Sequence, residues 1–291
     1  MLCLKNNIFT GQNMSYLPEL LEADASGEIA EIYAEIRLCS GVPYVSTLQR
    51  YLATLPGVLE FGWTIIRPTM ISGVAPSAAW KAASDAAPPA FSELTPSFLN
   101  DLEINTDSLQ EIRNIAENFA RVSPVNVITG ALLEPIVKDK TLPSGNGLEE
   151  SKVSHPEMLP GMPELPMMDQ LSSKLRNELD GLMVPIAGQP FLPALYRHYA
   201  RWPKFASYLS TVIPNRRTKP CVIEAEKRAI NGIVAAGRQL FTSLPKPPEI
   251  LFQPSDETQN LILEAIHRYR STSADMICTG QALLKSLPEK I

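Results

Sequence analysis

Gly188-Gln-Pro-Phe-Leu-Pro-Ala-Leu-Tyr-Arg-His-Tyr-Ala-Arg-Trp-Pro203 decides the reading of this 291-residue chain, because a second copy of the pattern lies half a chain earlier, as Gly41-Val-Pro-Tyr-Val-Ser-Thr-Leu-Gln-Arg-Tyr-Leu-Ala-Thr-Leu-Pro56. The two align without a gap at an offset of 147, pairing Gly41 with Gly188, Tyr44 with Phe191, Leu48 with Leu195, Arg50 with Arg197 and Pro56 with Pro203. The match continues through Thr64 and Thr211 to Ile66 and Ile213. At an offset of 150, Ile112 falls on Ile262, Phe119 on Tyr269, Ser123 on Ser273, and Thr129-Gly130 on Thr279-Gly280. Self-similarity on this scale reads as two copies of one structural unit.

Helical periodicity fills both copies. Ile29, Ile32, Tyr33 and Ile36 share one face behind Ser26, a suitable N-cap, so residues 26–37 read as a helix that Gly41 and Pro43 end. Residues 45–54 follow, with Leu48, Leu52 and Leu55 as the buried stripe, and Pro56 falls in the first turn of a third helix bearing Val58, Phe61, Ile65 and Ile66. The later copy repeats this with Leu195, Tyr199 and Trp202, then Phe205, Leu209, Val212 and Ile213. Residues 77–87 read as an alanine-rich fourth helix closed by Pro88 and Pro89. Ser108 and Glu111 form a capping box for a helix that Arg121-Val-Ser-Pro124 breaks and residues 125–134 resume. Strand signals are nearly absent.

These readings predict an all-α fold. Residues 1–16 form a lead, with Met14 as a second candidate start; 17–137 are the first repeat, 138–167 a Pro/Gly-rich surface linker, and 168–291 the second repeat. The repeats pack face to face as a pseudo-twofold pseudodimer.

A net charge of -5 and pI near 5.4 argue against a nucleic-acid partner, which needs a basic face to neutralise phosphates. The basic cluster Arg216, Arg217 and Lys219 lies between prolines and reads as a solvated loop. Cys3, Cys39, Cys221 and Cys278 show neither metal spacing nor a disulfide framework, which fits a reducing cytoplasm and no metal. The N-terminus carries no signal-peptide pattern, and no apolar run approaches the roughly 20 residues of a membrane span. No phosphate loop or dinucleotide fingerprint implies a cofactor.

Ser26-Gly27-Glu28, Tyr33, Ile36-Arg37, Val42-Pro43-Tyr44 and Leu52 to Gly57, with Trp202-Pro203-Lys204 in the second unit, resemble the DehI-type group I 2-haloacid dehalogenases from Leu17 onward. The resemblance implies an all-α pseudodimer, a homodimer, and a small-acid channel between the repeats. It implies hydrolysis of a carbon–halogen bond in which an aspartate deprotonates water and an asparagine helps hold it, with no covalent enzyme ester. The family's asparagine, before a proline, falls here on Ser123; its aspartate falls on Leu195, or on Pro193 in a register two residues earlier. No Asp or Glu occurs from Gly181 to Ile223, so neither register restores a carboxylate. A general base contributes about 10²- to 10⁴-fold in rate, so the family mechanism is expected to be lost.

His198 and Asn126 each lie one helical turn from those positions and are the candidate replacement pair. Tyr44, Thr47, Leu48, Ser123, Pro193, Leu195, Tyr196 and Tyr269 are the candidate substrate-binding residues. Against these stand plainer roles: His198 as interface packing, Tyr269 as core, Arg50 and Arg197 as carbonyl caps rather than a carboxylate clamp. Two functions follow: a diverged hydrolase-like enzyme acting on a small organic acid, or a non-catalytic ligand-binding or interaction module. An open channel lined by Tyr44, Thr47, Ser123, Asn126, Tyr196 and His198 favours chemistry or binding. Leu48 meeting Leu195 across the axis closes it.

Overall fold

The computed structural model describes residues 17–92, 94–147, 155–166, 168–186, 189–247 and 252–290; the lead over 1–16, Met167 and Gly188 lie outside the described residues. The helices are α1 (Gly27–Ser40), α2 (Thr47–Leu52), α3 (Val58–Ile71), α4 (Val74–Asp85), α5 (Pro96–Asp101), α6 (Thr106–Lys138), α7 (Ser173–Glu178), α8 (Ala194–Tyr199), α9 (Pro203–Arg217), α10 (Pro220–Ser243) and α11 (Asp256–Ser286). The fold is all-α apart from a small hairpin. Strands β1 (Val184–Ile186) and β2 (Gln189–Phe191) pair antiparallel, an element that the sequence did not signal. Pro185 faces Pro190 there, and neither has an N–H to leave unpaired.

α6 and α11 form the centre. α6 is one continuous 33-residue helix through Pro124, which corrects the expected break at residues 121–124. Proline removes one ladder bond and crowds the preceding turn, but α6 is buried along most of its length, and tertiary packing outweighs that local penalty. Its N-cap is Asn105, whose side chain accepts from the Ser108 N–H at 2.8 Å, so the helix starts one residue after Asn105 rather than at a Ser108–Glu111 capping box. Gly57, in a left-handed conformation, starts α3, leaving Pro56 outside that helix.

The two long helices run in opposite directions. A Cβ on Gly130 of α6 would lie 3.0 Å from Ile266 of α11, and one on Gly280 of α11 would lie 3.1 Å from the Ala116 carbonyl of α6. Two buried clusters flank them. One joins α1–α4 to the C-terminal half of α6 and to residues of α10 and α11; the other joins Phe91–Ile104 and the N-terminal half of α6 to α8, α9 and the end of α11. Each cluster therefore draws on both halves of the chain.

Two connections differ from expectation. Arg216 and Arg217 end α9 and are not a solvated loop: Arg217 pairs with Asp275 at 2.9 Å, and Arg216 lies 4.0 Å over the Phe91 ring and donates to the Pro89 and Ala90 carbonyls. The expected surface linker lies partly in a groove. Over residues 155–166 it is a strap, tied by Leu159 N–H to Gly41 O (2.9 Å), Arg121 to Glu157 O (2.7 Å), Asn114 to Gly161 O (2.8 Å) and Arg197 to Pro166 O (2.9 Å). The carbonyls of an extended segment need partners, and side chains of α6 and α8 supply them. Among the described residues no helix is long and apolar enough to cross a membrane.

Gly41 has two reasons to be glycine. Its φ of 63° is left-handed and closes α1, and a Cβ there would meet Pro156 of the strap at 2.7 Å. Gly41→Ala is expected to lower unfolding free energy by about 1–2 kcal/mol from the backbone alone, read from urea midpoints, and to speed proteolysis within 155–166.

Candidate functional site

A cavity of about 1060 Å³ opens between the halves of the molecule. Four helical faces and the strap wall it. α6 contributes Phe119, Val122, Ser123 and Asn126, and α11 contributes Tyr269, Thr272, Ser273 and Met276; both sets follow i, i+3, i+4, i+7 and so form single stripes. α2 adds Thr47 and Arg50, and α8 adds Ala194, Arg197 and His198. Tyr44 and Phe191 stand just before those two short helices, and Gly161 to Leu165 of the strap cross one side.

Of the candidate residues, Tyr44, Thr47, Ser123, Asn126, His198 and Tyr269 line this cavity. Leu48, Pro193, Leu195 and Tyr196 do not. The cause is the helical period: with Ala194, Arg197 and His198 facing inward, Leu195 and Tyr196 point to the opposite side of α8, where both are 0% exposed. Leu48 and Leu195 fall in separate core clusters and do not close the cavity between them. The inward position in the first turn of α8 is Ala194, so this wall carries no carboxylate.

Tyr196 belongs to a second polar group outside the cavity. Its hydroxyl donates to Asp275 Oδ2 at 2.7 Å and lies 3.2 Å from the Thr279 hydroxyl, while Arg217 sits 5.6 Å over its ring. Arg217 also donates to the Gly181, Leu182 and Met183 carbonyls, so the buried charge pair has further partners.

His198 is 4% exposed, its Nδ1 has no hydrogen-bond partner, and its ring meets Phe119 edge-on at 5.9 Å. Burial lowers its pKa to about 4, and the Arg197 and Arg201 charges add to the effect. It is a neutral imidazole at pH 7, and a weak base. Asn126 does not face it through a free carbonyl: the Asn126 Oδ1 accepts from Ser46 Oγ at 2.7 Å and from Gln49 Nε2 at 3.1 Å. The Tyr44 hydroxyl is buried without a partner, and burial raises its pKa.

A carboxylate absent from the sequence reading also faces the cavity. Glu19 lies in the segment before α1, which is fixed by Leu20 N–H to Arg50 O (3.0 Å) and by the Tyr33 hydroxyl to Leu20 O (3.0 Å). Arg50 approaches its Oε2 at 2.7 Å and also lies 3.5 Å from the Thr47 hydroxyl. Burial raises its pKa, against the lowering effects of Arg50, Thr47 and Arg197. No periodicity marks residues 17–25, so only the fold reveals where Glu19 points. Glu134, by contrast, pairs with Arg270 (2.7 Å) and His267 (3.3 Å) away from the cavity. Among the described residues no group of His, Cys, Asp and Glu is arranged to hold a metal ion.

No protein-family profile matches the chain. A configuration-inverting 2-haloacid dehalogenase of Alcaligenes xylosoxydans xylosoxydans is 27% identical over 246 residues, covering 80% of this chain and 79% of the relative. A D-2-haloacid dehalogenase mutant in complex with D-2-CPA superposes with a TM-score of 0.68 at 14% identity, covering 94% of this chain and 96% of that one. A D-2-haloacid dehalogenase with L-LA gives 0.69 at 14% identity, covering 92% and 95%. The structural likenesses establish a shared fold.

Two outcomes follow for the polar groups. Asp275→Ala strands Arg217 in a partly buried site and is expected to cost about 3–5 kcal/mol in urea unfolding, against about 1–3 kcal/mol for Tyr196→Phe. His198 is depressed from 6.5 to about 4, so the unfolded chain binds its proton more tightly. Its contribution is therefore full above pH 6.5 and falls as pH drops toward about 4. His198→Phe should flatten the fall in urea midpoint across that window.

Proposed function

We propose that this chain, a DehI-type relative of the 2-haloacid dehalogenases, binds a small organic acid in the cavity between two repeated helical units and transforms it there, by chemistry that uses no carboxylate on α8. The observation that carries the reading is the make-up of the wall. Its residues fall into pairs at the two sequence offsets: Tyr44 with Phe191, Thr47 with Ala194, Arg50 with Arg197, Phe119 with Tyr269, Val122 with Thr272, Ser123 with Ser273, and Asn126 with Met276. Equivalent positions of both copies thus meet around one space.

The helix contacts support the pseudo-twofold arrangement. Gly130 meets Ile266, and Ala116 meets Gly280; Ile266 and Gly280 are the offset equivalents of Ala116 and Gly130. Such reciprocity is the mark of a twofold interface. Element positions agree, with α8 starting 147 residues after α2, and α11 starting 150 after α6.

Arg50, Arg197 and Arg268 give the cavity a cationic side suited to a carboxylate. The Alcaligenes relative acts on 2-haloacids, as its name states, and a short 2-substituted acid fits easily within the volume here. The loss of a carboxylate on α8 and the engaged Asn126 carbonyl favour, as second reading, a ligand-binding module on the same fold.

Calorimetry with D- and L-2-chloropropionate and D- and L-lactate is expected to show one site per chain. Ser273→Phe, which sends a ring into the cavity, should weaken binding at least about tenfold, or 1.4 kcal/mol, with helix content unchanged. Absence of binding by all four acids to the unaltered protein sinks the reading.

A further inference from the structure

Three carboxylates reach the cavity wall: Glu19, Glu164 and Asp169. Glu164 and Asp169 are exposed, on the strap and on the short 3-10 turn after it, where water screens and hydrates them. Glu19 differs. Its side chain is 21% exposed, the N–H and carbonyl of the next residue, Leu20, are both fixed by hydrogen bonds, and Arg50 holds its carboxyl group at 2.7 Å. A general base must be held within reach of the proton it takes, and it must be basic enough near neutral pH. Position meets the first requirement. The raised pKa supports the second.

The surroundings fit a water-activating role. An ionised carboxylate offers about four lone-pair directions, so the Arg50 contact leaves room for a water. The charged and titratable groups facing Glu19 are Arg50 on α2, Arg197 on α8, Tyr33 on α1 and Tyr269 on α11. The two arginines can hold a substrate carboxylate beside it. Tyr269 stays protonated because burial raises its pKa, and its hydroxyl can help to orient the water. Thr47 is moreover the offset partner of Ala194, the cavity-facing residue in the first turn of α8. Neither of these two positions carries a carboxylate; Glu19, from the segment before α1, reaches the same cavity.

From this geometry we propose that Glu19 is the general base that activates water for hydrolysis of a 2-substituted acid in the cavity. This rests on the small-acid reading above. For a 2-halo acid, Glu19 accepts a proton from water, the water oxygen forms a bond to C2, and the C2–halogen bond breaks with its electron pair leaving as halide. The products are the 2-hydroxy acid and halide, and Glu19 returns its proton to solvent.

The test combines calorimetry and chloride release with D- and L-2-chloropropionate for the unaltered protein, Glu19→Gln, Glu19→Asp and the double variant Glu19→Gln/Ala194→Asp. Glutamine keeps an oxygen for Arg50 but not the basicity. The expected result is that Glu19→Gln binds the acid within about threefold of the unaltered protein while kcat falls by about 10²-fold or more. Glu19→Asp should keep part of the rate, and Ala194→Asp should restore some of what Glu19→Gln removes. Three results overturn the assignment: chloride release by Glu19→Gln near the unaltered rate, joint loss of binding and turnover in Glu19→Gln, or an unaltered protein that binds the acid without releasing chloride. Failure of the unaltered protein to bind either chloropropionate overturns this assignment, and failure to bind the two lactates as well overturns the small-acid reading with it.

Discussion

The close crossing of α6 and α11 is the constraint on which the rest depends. At Gly130 and Gly280 the helices approach until a methyl group would press on Ile266 or on the Ala116 backbone. Helices separate or tilt when large side chains occupy such points, so two glycines allow the short distance between the pair. Ser123 and Ser273 lie midway between the two contacts along their helices. The faces that wall the cavity are therefore held from both ends, and the site inherits the rigidity of the two longest helices.

Around that pair the molecule separates apolar from polar work by helix face. α8 shows this over six residues: Leu195, Tyr196 and Tyr199 turn into the core, while Ala194, Arg197 and His198 turn to the cavity. Burial then decides chemistry. His198 faces the cavity but sits among Phe119 and two arginines, which leaves it neutral and weakly basic. Glu19 keeps a charge partner and is 21% exposed, so it is held in place without being sealed off. Histidine is an attractive base when its pKa is near 6.5, and burial has moved this one away from that range.

Much of the all-α fold was legible because helical periodicity is a property of the chain itself. The stripes 119–126 and 269–276 can be read from the spacing of their residues, and the all-α class from the near absence of alternation. What escaped the sequence depends on the surroundings. Pro124 predicts a helix break by its local chemistry, yet α6 is packed on so many sides that it continues. The inward face of α8 differs by one residue from the position that the resemblance singled out, and one residue is about 100° of helix, enough to exchange core for cavity. Glu19 was hidden for another reason: it lies in an irregular segment, and only the bonds through Leu20 bring it to the cavity.

The division of the core has a consequence for how the chain comes off the ribosome. Leu109, Ile112, Ile115 and Phe119 share a buried cluster with Phe91 to Ile104 of their own half and with residues of α8, α9 and the end of α11. At synthesis rates of about 5–20 residues per second, the apolar face of α6 waits on the order of ten seconds for the segments that cover it. During that interval the nascent protein presents a helix of which only one flank, against Phe91 to Ile104, can be covered. The arrangement that holds the cavity from two sides thus leaves part of the α6 surface uncovered until α8, α9 and the end of α11 have been made.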